Sequence, residues 1–390
     1  FPTNANLGSC NPTPRGGQPA HHFIHRHQHV IEFAVLRNRR GERFNQAVKN
    51  HVAAFGGDEL HCFNGWRAKC AQVAHLLPDL ATELGVVACR LAQADGRLFL
   101  EVPRPDPIGV RLMPLVQRVA DVVPPATATL GLDWDGTPLL LRLHSPDVDP
   151  VLVSGVRGSG KSSLLRGMAL SLSLHNSPDR LRLLLIDAHP GGHAFDGLED
   201  LPHHACPVAH GPVEALASLR WALRMLARRA HQYGDDELVF DEEEGSGKDG
   251  VREDGALVIM VHGIDALCDT GNRRLDAEAA DACARLISAG NRHGIHIVAS
   301  TDSADSAHRI NTGWQARISG PVQSAEEARL ATGLKGSGAQ HLLGAGDFLV
   351  SLNAELIRFQ AGPVSDAEIG RPLGLISAAT NRNKGPPAEG

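Results

Sequence analysis

The sequence predicts an α/β protein in which a mainly parallel sheet is covered by helices and preceded by a small α+β domain. Two observations carry the larger part. A short apolar run at 151–153 leads into Gly155-Val156-Arg157-Gly158-Ser159-Gly160-Lys161-Ser162, and 164–170 continues in a helical pattern, so a phosphate-binding loop lies between strand and helix. Beyond it, buried-strand runs at 181–186, 256–261 and 294–300 alternate with helical stretches at 211–233 and 276–289. The smaller domain rests on a third observation, a mixed pattern across 30–119 that changes period near 130.

With 390 residues, 42% hydrophobic and 21% charged, the chain can bury a large core and accommodate two or three domains. A net charge of −6 excludes a broadly basic nucleic-acid coat, so any DNA contact must be locally concentrated. The 7 cysteines are scattered without a CxxC pair, which suits core thiols in a reducing compartment. No apolar run is long enough to span a bilayer, and 1–20 lacks a signal-peptide apolar region. The expected location is the cytoplasm, with room for a membrane tether upstream of Phe1.

Taken in order, 1–29 is a polar, disordered segment carrying His21, His22, His25, His27 and His29. Alternation at 25, 27 and 29 would align three imidazoles on a strand, but only Glu32 is nearby to complete a shell, so no metal is assigned there. The lead-in domain covers 30–121: an apolar run at 30–36, a turn with Arg37, Arg39, Arg40 and Arg43, a helix near 69–84 and a strand at 97–102. A Pro-rich linker at 122–127 precedes the main domain, 130–370. Within it, Arg220, Arg224 and Arg228 form one stripe on the 211–233 helix. The acidic, Gly-containing stretch 235–254 reads as a flexible insertion, and capping-box spacings at Ser324 and Ser365 start two short helices. The tail 371–390 is expected to be disordered.

Each residue of the glycine-rich loop has work to do on a phosphate. Gly155, Gly158 and Gly160 let consecutive N–H groups of Val156, Arg157, Ser159 and their neighbours curl round the anion, and the following helix N-terminus, through Ser163, adds partial positive charge. Lys161 reaches the outer phosphates, and Ser162 offers its hydroxyl to Mg²⁺. Arg157 occupies a variable position and is expected to point away.

Several further blocks resemble the motor of FtsK/SpoIIIE-type DNA translocases, in the FtsK-HerA group of P-loop ATPases. These are Leu184-Leu185-Ile186-Asp187 with Leu201-Pro202-His203 and the 217–229 helix bearing Trp221, then Gly294-Ile295-His296-Ile297-Val298-Ala299-Ser300-Thr301. Ala316-Arg317-Ile318-Ser319, Leu342-Leu343-Gly344-Ala345-Gly346-Asp347-Phe348-Leu349 and Gly362-Pro363-Val364-Ser365-Asp366 follow in order. The resemblance implies a RecA-like core, ATP and Mg²⁺ as cofactors, and a homo-oligomeric ring, normally of six subunits, moving double-stranded DNA in chromosome partition or plasmid movement. It also implies nucleotide between subunits, with Lys161 catalytic and Arg317, or else Arg292, reaching a neighbour's phosphates.

Where the family has an Asp-Glu pair for Mg²⁺ and the attacking water, this chain has His262-Gly263. Asp187, ending the adjacent strand, is the expected substitute catalytic and Mg²⁺ carboxylate, ahead of Asp265. Thr301-Asp302-Ser303-Ala304 likewise replaces the family's Thr-Gln-Arg-Pro. ATP binding with slow hydrolysis is therefore expected, and His262→Asp with Gly263→Glu should raise turnover. Three functions stay open: an ATP-driven duplex-DNA translocase, a hydrolysis-impaired ring or regulatory subunit, and a protein-secretion or conjugative-coupling ATPase.

Overall fold

The computed structural model describes residues 76–86, 89–94, 97–101, 110–133, 136–189, 191–232, 255–310, 313–364 and 368–370. The expectations for the His-rich segment 1–29, for 30–75 with its four arginines, for the acidic stretch 235–254, for Ser365 and for the tail 371–390 lie outside the described residues.

In chain order the elements are α1 (Leu77–Leu84), β1 (Arg90–Ala94), β2 (Arg97–Glu101), α2 (Leu112–Val119), β3 (Thr127–Asp133), β4 (Pro138–Arg142) and β5 (Val151–Ser154). After the P-loop come α3 (Lys161–His175), β6 (Leu181–Asp187), β7 (Ala209–His210), α4 (Gly211–Gln232), β8 (Ala256–His262), α5 (Ile264–Leu267), α6 (Arg273–Ala289) and β9 (Ile295–Thr301). The series ends with α7 (Ala304–Ile310), β10 (Ala316–Ser319), α8 (Ala325–Thr332), β11 (Asp347–Leu352) and β12 (Glu355–Ala361).

Among the described residues, β1 and β2 form an antiparallel hairpin and the other strands one sheet ordered β4-β3-β12-β11-β10-β5-β9-β8-β6-β7. The strands from β10 to β7 run parallel, while β11, β12, β3 and β4 extend the sheet antiparallel. The apolar runs of β6 and β8 are continuous because both faces are covered. Leu183, Leu185, Val258 and Met260 pack into one core with α3, whereas Leu184, Ile186, Leu257 and Ile259 pack into the other with α4 and α6. Leu112 and Val116 of α2, which the sequence places in the lead-in domain, lie in the first of these cores.

Side chains close the helix ends. Asn272 caps α6 by accepting from the Arg274 and Leu275 N–H groups. Ser324 caps α8 by accepting from Glu327 N at 3.1 Å, as its spacing predicts, while Glu327 reaches back to Gln323 N at 2.9 Å. On α4, Arg220 pairs with Glu278, and Arg224 and Arg228 are exposed. Arg229, beside that stripe, is buried and donates to the Gly255, His293 and Gly294 carbonyls, tying the helix to the starts of β8 and β9. No helix among the described residues is long and apolar enough to cross a membrane.

Candidate nucleotide site

β5 ends at Ser154, and the loop that follows takes a path only glycine follows at low cost, with φ of +149°, +79° and +102° at Gly155, Gly158 and Gly160. It delivers Lys161 into the first turn of α3. The Lys161 Nζ is buried and donates to Gly155 O at 2.7 Å and Val156 O at 3.0 Å. It also pairs with Asp302 Oδ1 at 2.8 Å, and Arg157 reaches the other oxygen of that carboxylate at 3.0 Å from an otherwise exposed position. Burial pushes the Asp302 carboxyl up, but the cations of Lys161 and Arg157 outweigh it and hold the group below its ordinary value.

The blocks C-terminal to the loop converge on it. Gly320 N donates to Ser154 O at 2.8 Å and Val156 N to Pro321 O at 2.9 Å, fixing the loop against the end of β10. Gly346, at φ +89°, comes close enough to Gly160 that a Cβ on Gly160 would lie 3.3 Å from the Gly346 nitrogen. Asp347 is held there by both arms of Arg358, at 2.8 and 2.7 Å, and Phe348 stacks on Phe359 beneath. The Gly344-to-Leu349 stretch therefore forms the wall behind the loop.

Ser162 meets a side chain that its motif does not call for. Its Oγ lies 2.9 Å from His262 Nε2, and His262 Nδ1 lies 3.1 Å from Asp187 Oδ1. This follows from register, since β6 and β8 pair Asp187 with His262 at their C-terminal ends. A carboxylate only accepts, so Nδ1 carries a proton and donates to Asp187. Asp187 also accepts from Ala194 N at 2.8 Å and His189 N at 3.3 Å. Although burial opposes ionisation, the neighbouring His189 and His262 and the Ala194 N–H hold the Asp187 carboxyl well below the usual carboxylate range. The His189 imidazole is raised by the carboxylate of Asp187, with Asp265 and Asp302 adding to it.

The residues present do not fit the Mg²⁺ site that the motif implies. His262 stands between Ser162 and Asp187, so the serine faces an imidazole where a hard cation needs oxygen. Asp265 is no nearer to that role, because its Oδ2 accepts from Asp302 N at 3.3 Å. The expectation for the His262→Asp, Gly263→Glu pair also needs correcting. Gly263 has φ +81°, and a Cβ there would overlap the His189 imidazole, so a glutamate at 263 has neither the backbone nor the space.

Arg317 is held within its own chain: its guanidinium donates to Leu330 O at 3.0 Å, lies 2.8 Å from His308 Nε2 and packs over Gly333. Arg292 is exposed on the turn before β9, and Ser163 is exposed on the first turn of α3. Sequence reasoning missed His189, although Asp187-x-His189 at a strand end, beside a strand ending in His262, was a readable signal. It also took Asp302 for a loss only, whereas that carboxylate pairs with the P-loop lysine.

The FtsK/SpoIIIE family profile matches residues 117–309. The DNA translocase FtsK of Leptospira interrogans is 29% identical over 315 residues, covering 77% of this chain and 32% of its own. The DNA translocase SftA of Bacillus subtilis is 27% identical, covering 73% and 31%. The chain thus spans about a third of the length of these curated relatives. Among solved structures, the pCW3 conjugation coupling protein TcpA with ATPgS superposes with a TM-score of 0.54 at 17% identity, covering 78% of this chain and 86% of that one. The cytoplasmic domain of the Thermomonospora curvata type VII secretion ATPase EccC gives 0.52 at 24%, covering 70% and 32%. These two establish the shared P-loop ATPase fold. Residues 117–309, the stretch that builds the P-loop, Asp187 and the His262 strand end, are thus similar to the FtsK/SpoIIIE family.

Proposed function

We propose that this chain is the motor domain of a duplex-DNA translocase, binding ATP at residues 155–163 and working in a homo-oligomeric ring. The observation that carries the reading is sequence likeness to a DNA translocase over 77% of the chain. The likeness to secretion and coupling ATPases is one of fold and gives no reason to move protein rather than DNA.

A second reading, a nucleotide-binding subunit that turns over slowly, is favoured by one feature of the site. The only carboxylate paired with Lys161 among the described residues is Asp302, and the end of β8 presents an imidazole and a glycine. With no acidic pair to orient the attacking water, binding is kept while the chemical step suffers.

Phosphate release measured with and without duplex DNA, alongside ATP affinity, separates the readings. A working motor shows release stimulated by duplex. The slow subunit shows micromolar-class affinity with release that DNA does not raise. Lys161→Ala abolishes ATP binding under both, and unchanged affinity in a normally folded variant would overturn the site itself.

A further inference from the structure

Asp187 and the two imidazoles beside it form a ligand set of another kind. Asp187, His189 and His262 each bring one donor atom, and the three atoms lie within 4.8 Å of one another. The Nδ1 atoms of His262 and His189 are 3.1 and 3.7 Å from Asp187 Oδ1. Two ligands each about 2.0–2.2 Å from a shared zinc-class cation stand roughly 3–4 Å apart, so both separations fit. The 3.7 Å contact is too long for a hydrogen bond, and the buried His189 Nδ1 has no hydrogen-bond partner.

The backbone makes room for this arrangement. His189 lies over Gly263, where any Cβ would overlap its ring, and Gly192 likewise leaves the space that Asp187 occupies. The two imidazoles approach to 4.8 Å between centroids. His189 and His262 are 24% and 15% exposed while Asp187 is 1%, so the set is anchored from below and open above.

We propose that Asp187, His189 and His262 bind a borderline divalent transition metal, of the zinc or cobalt class, directly beside the P-loop. Two imidazoles and one carboxylate are the donors such ions prefer, whereas Mg²⁺ demands oxygen. Three protein ligands leave at least one position for water or another oxygen ligand. With the metal on His262 Nδ1 in place of its proton, Nε2 carries the ring hydrogen and donates to Ser162 Oγ. Metal occupancy is thereby read directly by the P-loop serine. The site stands whether or not the chain moves DNA.

The test is cobalt(II) titration of the metal-free full chain, followed by visible absorption, with zinc competition and Mg²⁺ as the comparison. Because 21–29 holds five further histidines, a His25→Ala, His27→Ala, His29→Ala chain is run beside His189→Ala and His262→Gln. One absorbing equivalent is expected that the N-terminal triple variant keeps, zinc displaces and tenfold excess Mg²⁺ does not. In His189→Ala its affinity falls by about a hundredfold or more, the upper end of what loss of a supporting group costs such sites. His262→Gln gives the same loss if His189→Ala does not fold. Absence of that equivalent in the wild type, or its persistence in a folded His189→Ala or His262→Gln chain, would overturn the site.

Discussion

Asp302 shows how one carboxylate shapes the P-loop. It holds Lys161 at 2.8 Å and Arg157 at 3.0 Å, where an incoming phosphate needs the lysine. Binding must exchange that ion pair for the phosphate, and the pair is only partly exposed, so screening does not erase its cost. Asp302→Asn keeps the shape and removes the charge, and nucleotide affinity is expected to rise roughly tenfold, about 1.4 kcal/mol. Calorimetry with a non-hydrolysable ATP analogue decides it, and an unchanged or weaker affinity counts against Asp302 as a competitor. At Gly263 the expectation is the reverse. The His262→Asp, Gly263→Glu chain should lose at least about 1 kcal/mol of stability, from left-handed backbone and the crowded His189 ring, and gain no turnover. A matching melting temperature together with faster phosphate release would refute this. The departures at 262 and 263 were plain in the sequence. That Gly263 is also the floor under His189 was not, because the two are 74 positions apart and only the pairing of β6 with β8 joins them.

Elements here are tied together by buried polar groups as well as by apolar faces. His203 is completely buried between the end of α3 and β6, with Nε2 2.8 Å from Asn176 O and its own carbonyl accepting from Leu183 N at 2.7 Å. Burial, aided by the nearby Arg182 charge, pushes its imidazole down to about 4. The folded value lies below the unfolded one, so the fold favours the neutral ring. That stability is complete above about pH 6.5 and is lost as pH falls towards 4, at about 1.4 kcal/mol per pH unit. Between pH 7 and 5 the wild type should therefore lose about 2 kcal/mol more than His203→Gln, which keeps a donor for Asn176 O. Urea unfolding at the two values measures this, and equal losses would remove His203 as the source. The strands and helices themselves were legible: 256–261 was expected against the observed Ala256–His262, and 276–289 against Arg273–Ala289. The N-terminal shift of α6 arises because Asn272 supplies the cap, a local signal passed over.

At the scale of the whole molecule, the proposed ring needs a cation to reach a neighbour's phosphates, and the two candidates behave differently. Arg317 is spent on the Leu330 carbonyl and the His308 ring, so Arg317→Ala should loosen α7 and α8 before it affects a neighbour. Arg292 is exposed and should tolerate alanine without loss of stability. Arg292→Ala chains mixed with wild type should depress phosphate release more than in proportion if the site is shared, and a strictly linear response would argue against Arg292 in that role. What the sequence alone determined is whatever depends on local pattern. The P-loop is a run of adjacent residues with fixed conformational needs, and doubly covered parallel strands announce themselves as unbroken apolar runs. Tertiary structure decided which distant groups meet: Asp302 on Lys161, Gly346 against Gly160, Arg229 on three carbonyls, and His262 between Ser162 and Asp187. Those contacts depend on strand order and register, and the order β5-β9-β8-β6, in which β8 and β9 are the one pair of neighbours consecutive in the chain, is set by how the two cores fill.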